Sequence, residues 1–178
     1  MSHTITKSEL EERKVGKDLY SYQKGAINKI FKAFEDAPED YHLLYQLPTG
    51  GGKTVIFSEI VRQYLKHHQK KVLVMTHRIE LCKQTSAMLT EFGVENKVVS
   101  SKANLDDQGQ YSCFVAMVET LNNRLQEDKL DISDIGLVII DEAHYNSFTK
   151  LFKFFEKSFI LGVTATPLSS NIKLPMND

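Results

Sequence analysis

The sequence predicts an α/β domain built on a mostly parallel sheet, with helices covering both of its faces. Along the 178-residue chain, short apolar runs of strand length alternate with longer segments whose apolar residues recur at helical spacing. The run Gly136–Asp141 (GLVIID) is apolar almost throughout, as expected of a strand that is buried on both sides. Such alternation is typical of parallel sheets, because each crossover helix packs back onto the sheet.

Residues 22–118 predict three helices and four strands. Pro38 lies in a polar break after the first helix, and Gly93 ends the third helix. The predicted elements are a helix over Tyr22–Phe34, a strand over His42–Gln46, a helix over Val55–Leu65, a strand over Lys71–Thr76, a helix over Ile79–Phe92 and a weak strand over Lys97–Ser100, with Cys113–Val118 as the next strand.

The second half continues the alternation. A helix is predicted over Glu119–Leu125, a strand over Gly136–Asp141, a helix over Phe148–Phe155 and a last strand over Phe159–Val163. Ligands of open parallel sheets bind at the carboxyl ends of the strands. The residues that directly follow each strand are therefore the candidates for function.

Composition excludes several classes of protein. The chain is 42% apolar and 25% charged with a net charge of −1, so it is neither disordered nor a strongly basic nucleic-acid-binding module. No apolar run approaches the roughly 20 residues of a membrane helix, and the polar N-terminus does not resemble a signal peptide. Cys82 and Cys113 form neither a disulfide framework nor a CxxC metal pair. We expect a cytoplasmic protein with no membrane partner.

A glycine-rich turn follows the first predicted strand. Its residues are Leu47–Thr54 (LPTGGGKT), and a predicted helix comes next. Successive glycine N–H groups can form an anion-binding nest, to which the helix adds its positive N-terminal end. Lys53 can then reach the outer phosphates of a nucleotide, and Thr54 can ligate magnesium. Leu47 stands where the strict phosphate-loop pattern has glycine, but the flanking strand and helix favour a phosphate site over an ordinary turn.

The clearest buried strand runs directly into an acidic segment, DEAH, at residues 141–144. Burying the carboxylate of Asp141 is costly unless a cation or hydrogen bonds compensate, and magnesium beside the phosphate loop would do so. Glu142 can orient or deprotonate an attacking water. These are the parts that phosphoryl transfer needs. The simpler interpretation, an acidic first turn of a helix, is weakened by the phosphate loop upstream.

These segments together resemble the superfamily 2 helicases. LPTGGGKT, DEAH and the later TATP at residues 164–167 look like motifs I, II and III of that superfamily. LYSYQ, VLVMTHRIELCKQ and FVAMVETLNNRL resemble, in order, the adenine-recognising Q motif, motif Ia and a further nucleic-acid-facing motif. The resemblance spans Leu19–Leu168, and within the superfamily it is strongest to the bacterial type III restriction subunit group of DEAD/DEAH-box helicases.

The resemblance implies a RecA-like P-loop NTPase domain that uses ATP and Mg²⁺. Residues 1–16 would be a flexible segment, residues 17–168 the ATP-binding domain, and residues 169–178 the start of a linker to a second RecA-like lobe that this sequence lacks. The implied nucleotide-binding residues are Gln23, Pro48, Thr49, Gly50, Gly51, Gly52, Lys53 and Thr54, of which Thr54 and Asp141 would hold the metal. The implied catalytic residues are Lys53, Asp141, Glu142 and His144, and Thr164 and Thr166 would couple nucleotide state to the nucleic acid.

The implied partner is nucleic acid, with DNA favoured over RNA, contacted mainly through its backbone. Its candidate contacts are Thr76, His77, Arg78 and Thr120, with Lys83 nearby. The resemblance implies a helicase or translocase lobe, nearly inactive alone. Alternatives are the ATP-driven subunit of a restriction endonuclease, a non-catalytic ATP-gated binding module, and a P-loop kinase, which would transfer phosphate to a small acceptor instead of water.

Overall fold

The structure of the protein is a computed structural model. It describes residues 21–36, 42–46, 52–100, 110–126, 134–141 and 152–164. In chain order the elements are α1 (Ser21–Glu35), β1 (His42–Gln46), α2 (Lys53–His67), β2 (Lys71–Thr76), α3 (Ile79–Glu91), β3 (Lys97–Val99), β4 (Cys113–Met117), α4 (Val118–Gln126), β5 (Ile135–Asp141), a 3₁₀ turn (Phe152–Phe154) and β6 (Phe159–Thr164). None of the helices within these ranges is long and apolar enough to cross a membrane.

The strands form one six-stranded sheet in the order β1-β6-β5-β2-β4-β3. All five strand pairings are parallel, which confirms the predicted sheet. The register aligns Gln46 with Thr164, Asp141 with Val163, and Thr76 with Met117. The strand ends that the sequence marked as functional therefore lie along one edge of the sheet.

Helices pack on both faces of the sheet, as predicted. Alternate strand residues point to opposite faces, so that Val72 and Leu137 join α1, α2 and α3 in one apolar cluster. Leu73 and Val138 join α4 in a second cluster on the other face. The two clusters account for the nearly continuous apolar sequence of β2 and β5, because both faces of these strands are covered.

Helix α2 is buried along most of its length. Every residue from 55 to 61 is buried, and α2 packs against α1 on one side and α3 on the other. Close packing also explains Gly136 at the start of β5. A Cβ there would come within 2.7 Å of the Cβ of Lys70 and would collide with the Tyr64 hydroxyl.

The predicted helix over Phe148–Phe155 is wrong over its described residues. Phe152–Phe154 forms a 3₁₀ turn, and residues 148–151 lie outside the described residues. The Ser158 amide donates to the Phe155 carbonyl at 3.1 Å, and the Ser158 hydroxyl donates to the Ile135 carbonyl at 2.7 Å. These bonds close a tight turn that directs the chain into β6, so an α-helix cannot extend through Phe155.

Candidate functional site

The structure brings Lys53 and Asp141 into direct contact. Lys53 is the first residue of α2, and Asp141 is the last residue of β5. The Lys53 Nζ lies 3.0 Å from Asp141 Oδ1, and the two side chains are 19% and 4% exposed. A carboxylate this buried is strongly unfavourable without a cationic or hydrogen-bonding partner. The lysine of the glycine-rich loop and the acidic strand end therefore lie side by side, and their roles in nucleotide binding remain predictions.

Gly52 shapes the entry to α2. Its φ of 69° and ψ of 43° place it in the left-handed region, and no side chain caps the helix there. A Cβ at this position would collide with Nε2 of Gln23. Gln23 lies on α1 and is only 2% exposed. The glutamine predicted to recognise adenine thus packs directly against the described end of the glycine loop.

The hydroxyl oxygen of Thr54 and the carboxylate oxygens of Asp141 suit a hard cation whose other ligands would be phosphate oxygens. Thr54 follows Lys53 and is partly buried, and Asp141 is 3% exposed. Hydroxyl and carboxylate oxygens are ligands that Mg²⁺ accepts. Within the described residues no group of three or more His, Cys, Asp or Glu side chains could hold a metal ion. A metal at this edge would therefore need further ligands, such as phosphate oxygens and water.

Several predicted site residues lie outside the described residues. They are Pro48, Thr49, Gly50, Gly51, Glu142, His144 and Thr166. Thr164 ends β6, where its backbone is aligned with Gln46 of β1. The roles of all these residues remain predictions.

Three predicted nucleic-acid contacts lie at the end of β2 and directly after it, and hydrogen bonds within the protein hold the first of them, Thr76. Thr76 is fully buried; its Oγ1 donates to the Arg78 carbonyl at 3.2 Å and lies 2.9 Å from Cys82 Sγ. Arg78 is exposed and precedes the first turn of α3, whereas His77 is partly buried. In this geometry Thr76 fixes the turn that presents Arg78, so a direct contact through Thr76 remains a prediction.

The other two candidate contacts lie on helices. Thr120 is partly buried in the first turn of α4, and Lys83 is exposed on α3. The described geometry neither adds a partner for them nor brings them to the Lys53–Asp141 pair. Their contact with nucleic acid remains a prediction.

The two cysteines, Cys82 and Cys113, are core residues. Both are fully buried. Burial raises the pKa of the Cys113 thiol from 9.0 to about 12. Burial also raises the pKa of Cys82, an effect that its hydrogen bond with Thr76 partly offsets. Neither thiol is therefore suited to act as a nucleophile or metal ligand at neutral pH.

The sequence did not predict one buried polar cluster, which lies on α2. Glu59 on α2 is fully buried, and its Oε1 accepts hydrogen bonds from Arg62 Nη2 and Gln63 Nε2, both at 2.9 Å. The spacing of three and four residues along a helix would have indicated this contact. Nothing in the sequence, however, shows that this face of α2 is buried.

The chain is similar in sequence to known proteins. The family model of the type III restriction enzyme res subunit matches residues 16–169. The putative ATP-dependent helicase IRC3 of Saccharomyces cerevisiae is 34% identical over 170 residues, which cover 83% of this chain and 23% of that protein. The ATP-dependent DNA helicase MPH1 of Scheffersomyces stipitis is 30% identical over 171 residues, covering 85% of this chain and 15% of that protein.

Solved structures show the same fold. The UvsW helicase of bacteriophage T4 has a TM-score of 0.66 at 20% identity, covering 93% of this chain and 62% of that one. A nuclease-deletion mutant of the Type ISP restriction-modification enzyme LlaGI, solved with a DNA substrate mimic, has a TM-score of 0.65 at 20% identity, covering 91% and 19%. The chain thus spans only part of each protein it matches. It belongs to the type III restriction enzyme res subunit family and is a RecA-like domain of the kind that forms the N-terminal domain of superfamily 2 helicases.

Proposed function

We propose that this domain binds ATP with Mg²⁺ at the glycine loop and, with a second RecA-like lobe, hydrolyses it to move along or unwind nucleic acid. The observation that carries the proposal is the 3.0 Å contact between Lys53 and Asp141. The contact supports the proposal because the lysine that we assign to the outer phosphates and the carboxylate that we assign to the metal meet at one strand end. Glu142 follows Asp141 in the chain, and we assign it the water-orienting role.

The electrostatics of the site suit a triphosphate. The N-terminus of α2 carries partial positive charge, and Lys53 adds a full one. Thr54 and Asp141 would hold the Mg²⁺, which when bound neutralises phosphate charge. Gln23 packs against Gly52, so the side chain that we assign to recognition of the adenine base also contacts the glycine loop.

We favour DNA over RNA as the nucleic acid along which the protein moves. MPH1 is named a DNA helicase and LlaGI was solved with a DNA mimic, and both are similar to this chain. The family name also favours the second candidate function, a translocating motor within a restriction enzyme. A net charge of −1 predicts weak binding of nucleic acid by this domain alone, because phosphate contacts depend on local basic residues such as Arg78.

The domain alone should hydrolyse ATP very slowly. In the family the second lobe supplies the arginine finger, and such arginines raise turnover by about 10³–10⁵. A fluorescent ATP analogue titrated with Mg²⁺ measures binding. We expect Lys53→Ala to abolish it, with Lys29→Ala as control because Lys29 is exposed on α1. Unchanged affinity in Lys53→Ala would refute the site assignment.

A second experiment separates the candidate activities in the full-length protein. We expect single-stranded or duplex DNA to stimulate ATP hydrolysis more than RNA does. Transfer of labelled phosphate to a small acceptor would instead identify a kinase. Nucleotide-dependent DNA binding without phosphate release would identify a binding module.

A further inference from the structure

Two hydrogen bonds in the turn between β2 and α3 converge on one backbone carbonyl, that of Arg78. The Thr76 hydroxyl donates to this oxygen at 3.2 Å, and the Cys82 amide donates to it at 3.1 Å. A carbonyl oxygen has two lone pairs, so both of its acceptor positions are occupied. The amide bond belongs to the first turn of α3, whereas the hydroxyl bond ties that turn to the end of β2.

The Cys82 thiol determines which way the Thr76 hydroxyl points. Cys82 Sγ lies 2.9 Å from Thr76 Oγ1, and both side chains are fully buried. A hydroxyl has a single hydrogen, and that of Thr76 is donated to the Arg78 carbonyl, so the thiol is the donor to the hydroxyl. Burial raises the pKa of Cys82, which keeps the thiol protonated at neutral pH. The order of donation is thus thiol to hydroxyl to carbonyl.

Arg78 itself faces the solvent. Its backbone is extended, with φ −128° and ψ 145°, and the residue is exposed, whereas Thr76 has no exposed surface. An exposed guanidinium can form charge-assisted hydrogen bonds with a phosphate group. Because the Thr76 hydroxyl is buried, any effect that it has on a bound strand must pass through a neighbour, and its hydrogen-bond acceptor is the backbone of Arg78.

We propose that Thr76 is a positioning residue for nucleic-acid binding: its hydroxyl, oriented by Cys82, fixes the backbone of Arg78 so that the guanidinium meets a phosphate of the bound strand. The inference rests on the proposed function, in which Arg78 contacts the nucleic-acid backbone. Without the hydroxyl bond the carbonyl keeps only its helical donor, and the turn gains conformational freedom. An arginine that must be ordered on binding loses entropy, which lowers affinity.

Fluorescence anisotropy of fluorescein-labelled single-stranded DNA, titrated with the full-length protein over a range of salt concentrations, tests the proposal. Thr76→Val removes the hydroxyl and keeps the shape of the side chain. We expect it to weaken binding about three- to tenfold, and Thr76→Ser to stay within about twofold of the wild-type affinity. Arg78→Ala should weaken binding at least as much. It should also reduce the slope of log affinity against log salt by about 0.7, the value for one phosphate contact on a single strand.

A double-mutant cycle separates positioning from a general structural role. In the Arg78→Ala background, Thr76→Val should cause less than about a 1.5-fold further loss of DNA affinity, because the group that it positions is absent. Thr90→Val is the matched control on α3. The Thr90 hydroxyl also donates to a backbone carbonyl, that of Ser86 at 2.9 Å, but it lies about three helical turns from Arg78. This control should leave DNA affinity unaltered.

Circular dichroism shows whether each variant is folded, and Thr76→Ala takes the place of Thr76→Val if the latter does not fold. The inference would be overturned by wild-type DNA affinity in Thr76→Val or in Arg78→Ala, by an equal loss in Thr76→Ser or Thr90→Val, or by an undiminished effect of Thr76→Val in the Arg78→Ala background. Each of these results leaves the proposed function intact. A full-length wild type that binds neither DNA nor RNA would instead refute the proposed function, and this inference with it.

Discussion

Separating Lys53 from Asp141 should destabilise the nucleotide-free domain, and the geometry sets the size of the effect. At 3.0 Å and an effective dielectric constant near 20, the attraction is about 5 kcal/mol. Desolvation of both groups opposes it, and removing one member of a buried pair typically costs about 3–5 kcal/mol. Because the lysine is partly exposed, we expect Lys53→Met to lower the free energy of unfolding by about 2–4 kcal/mol.

A double-mutant cycle measures the pair itself. The four proteins are the wild type, Lys53→Met, Asp141→Asn and the double variant, unfolded in urea without nucleotide. Asp141→Asn keeps the shape of the side chain and removes the charge that needs a partner. We expect a coupling free energy of about 2 kcal/mol, so that the double variant is more stable than the sum of the single changes predicts.

Lys29→Met is the matched control. Lys29 is exposed on α1, so its replacement should change the free energy of unfolding by less than about 0.5 kcal/mol. A coupling below about 0.5 kcal/mol between Lys53 and Asp141 would show that the contact contributes little in solution. The geometric basis of the proposed nucleotide site would then be lost.

Three further predictions follow from the same structure. Gly52→Ala should weaken nucleotide binding at least about tenfold, because the new methyl group strains the left-handed backbone and displaces Gln23; a fluorescent-nucleotide titration that gives wild-type affinity would contradict this. Glu142→Gln in the full-length protein should retain ATP binding and stop turnover, and normal phosphate release would refute its assigned role. The buried Cys113 and Tyr64 side chains should leave the free energy of unfolding unchanged below pH 9, lower it by roughly 1 kcal/mol per pH unit from pH 9, and lower it by roughly 2 kcal/mol per pH unit above pH 10, where both groups contribute. Burial raises the pKa of Cys113 from 9.0 to about 12 and that of Tyr64 from 10.0 to about 12, so the unfolded chain loses these protons at lower pH than the folded protein does. A urea concentration at the unfolding midpoint that stays constant from pH 9 to pH 11 would exclude this linkage.

Three strands were the most predictable elements. β1 and β2 begin and end where the sequence predicted, and β5 differs by one residue at its start. Their apolar runs are short and bounded by polar or glycine-rich segments, and in β2 and β5 burial on both faces leaves few alternatives. The grouping of Lys53 with Asp141 was predictable for a related reason, since parallel strands place all their carboxyl ends at one edge.

Features that depend on packing between distant segments were not predictable. The run of phenylalanines before β6 suggested a helix, but the bond from Ser158 to Ile135 favours a tight turn there. Thr76 stays a predicted nucleic-acid contact, but its motif position gave no sign of the hydrogen bond from its hydroxyl to the Arg78 carbonyl or of its contact with Cys82. A cavity beside Gln63 depends on where α1 and β6 meet α2, which no local pattern encodes.

The same contact that locates the proposed site also limits its affinity. A bound phosphate must compete with Asp141 for the Lys53 ammonium, so part of the binding free energy of the nucleotide is used to exchange one ion pair for another. Mg²⁺ at Asp141 would reduce this cost, because the carboxylate then keeps a cationic partner when the lysine leaves. Lysine release and metal binding at Asp141 therefore favour each other. In the proposed site, this coupling would make tight nucleotide binding depend on the metal even without a second lobe.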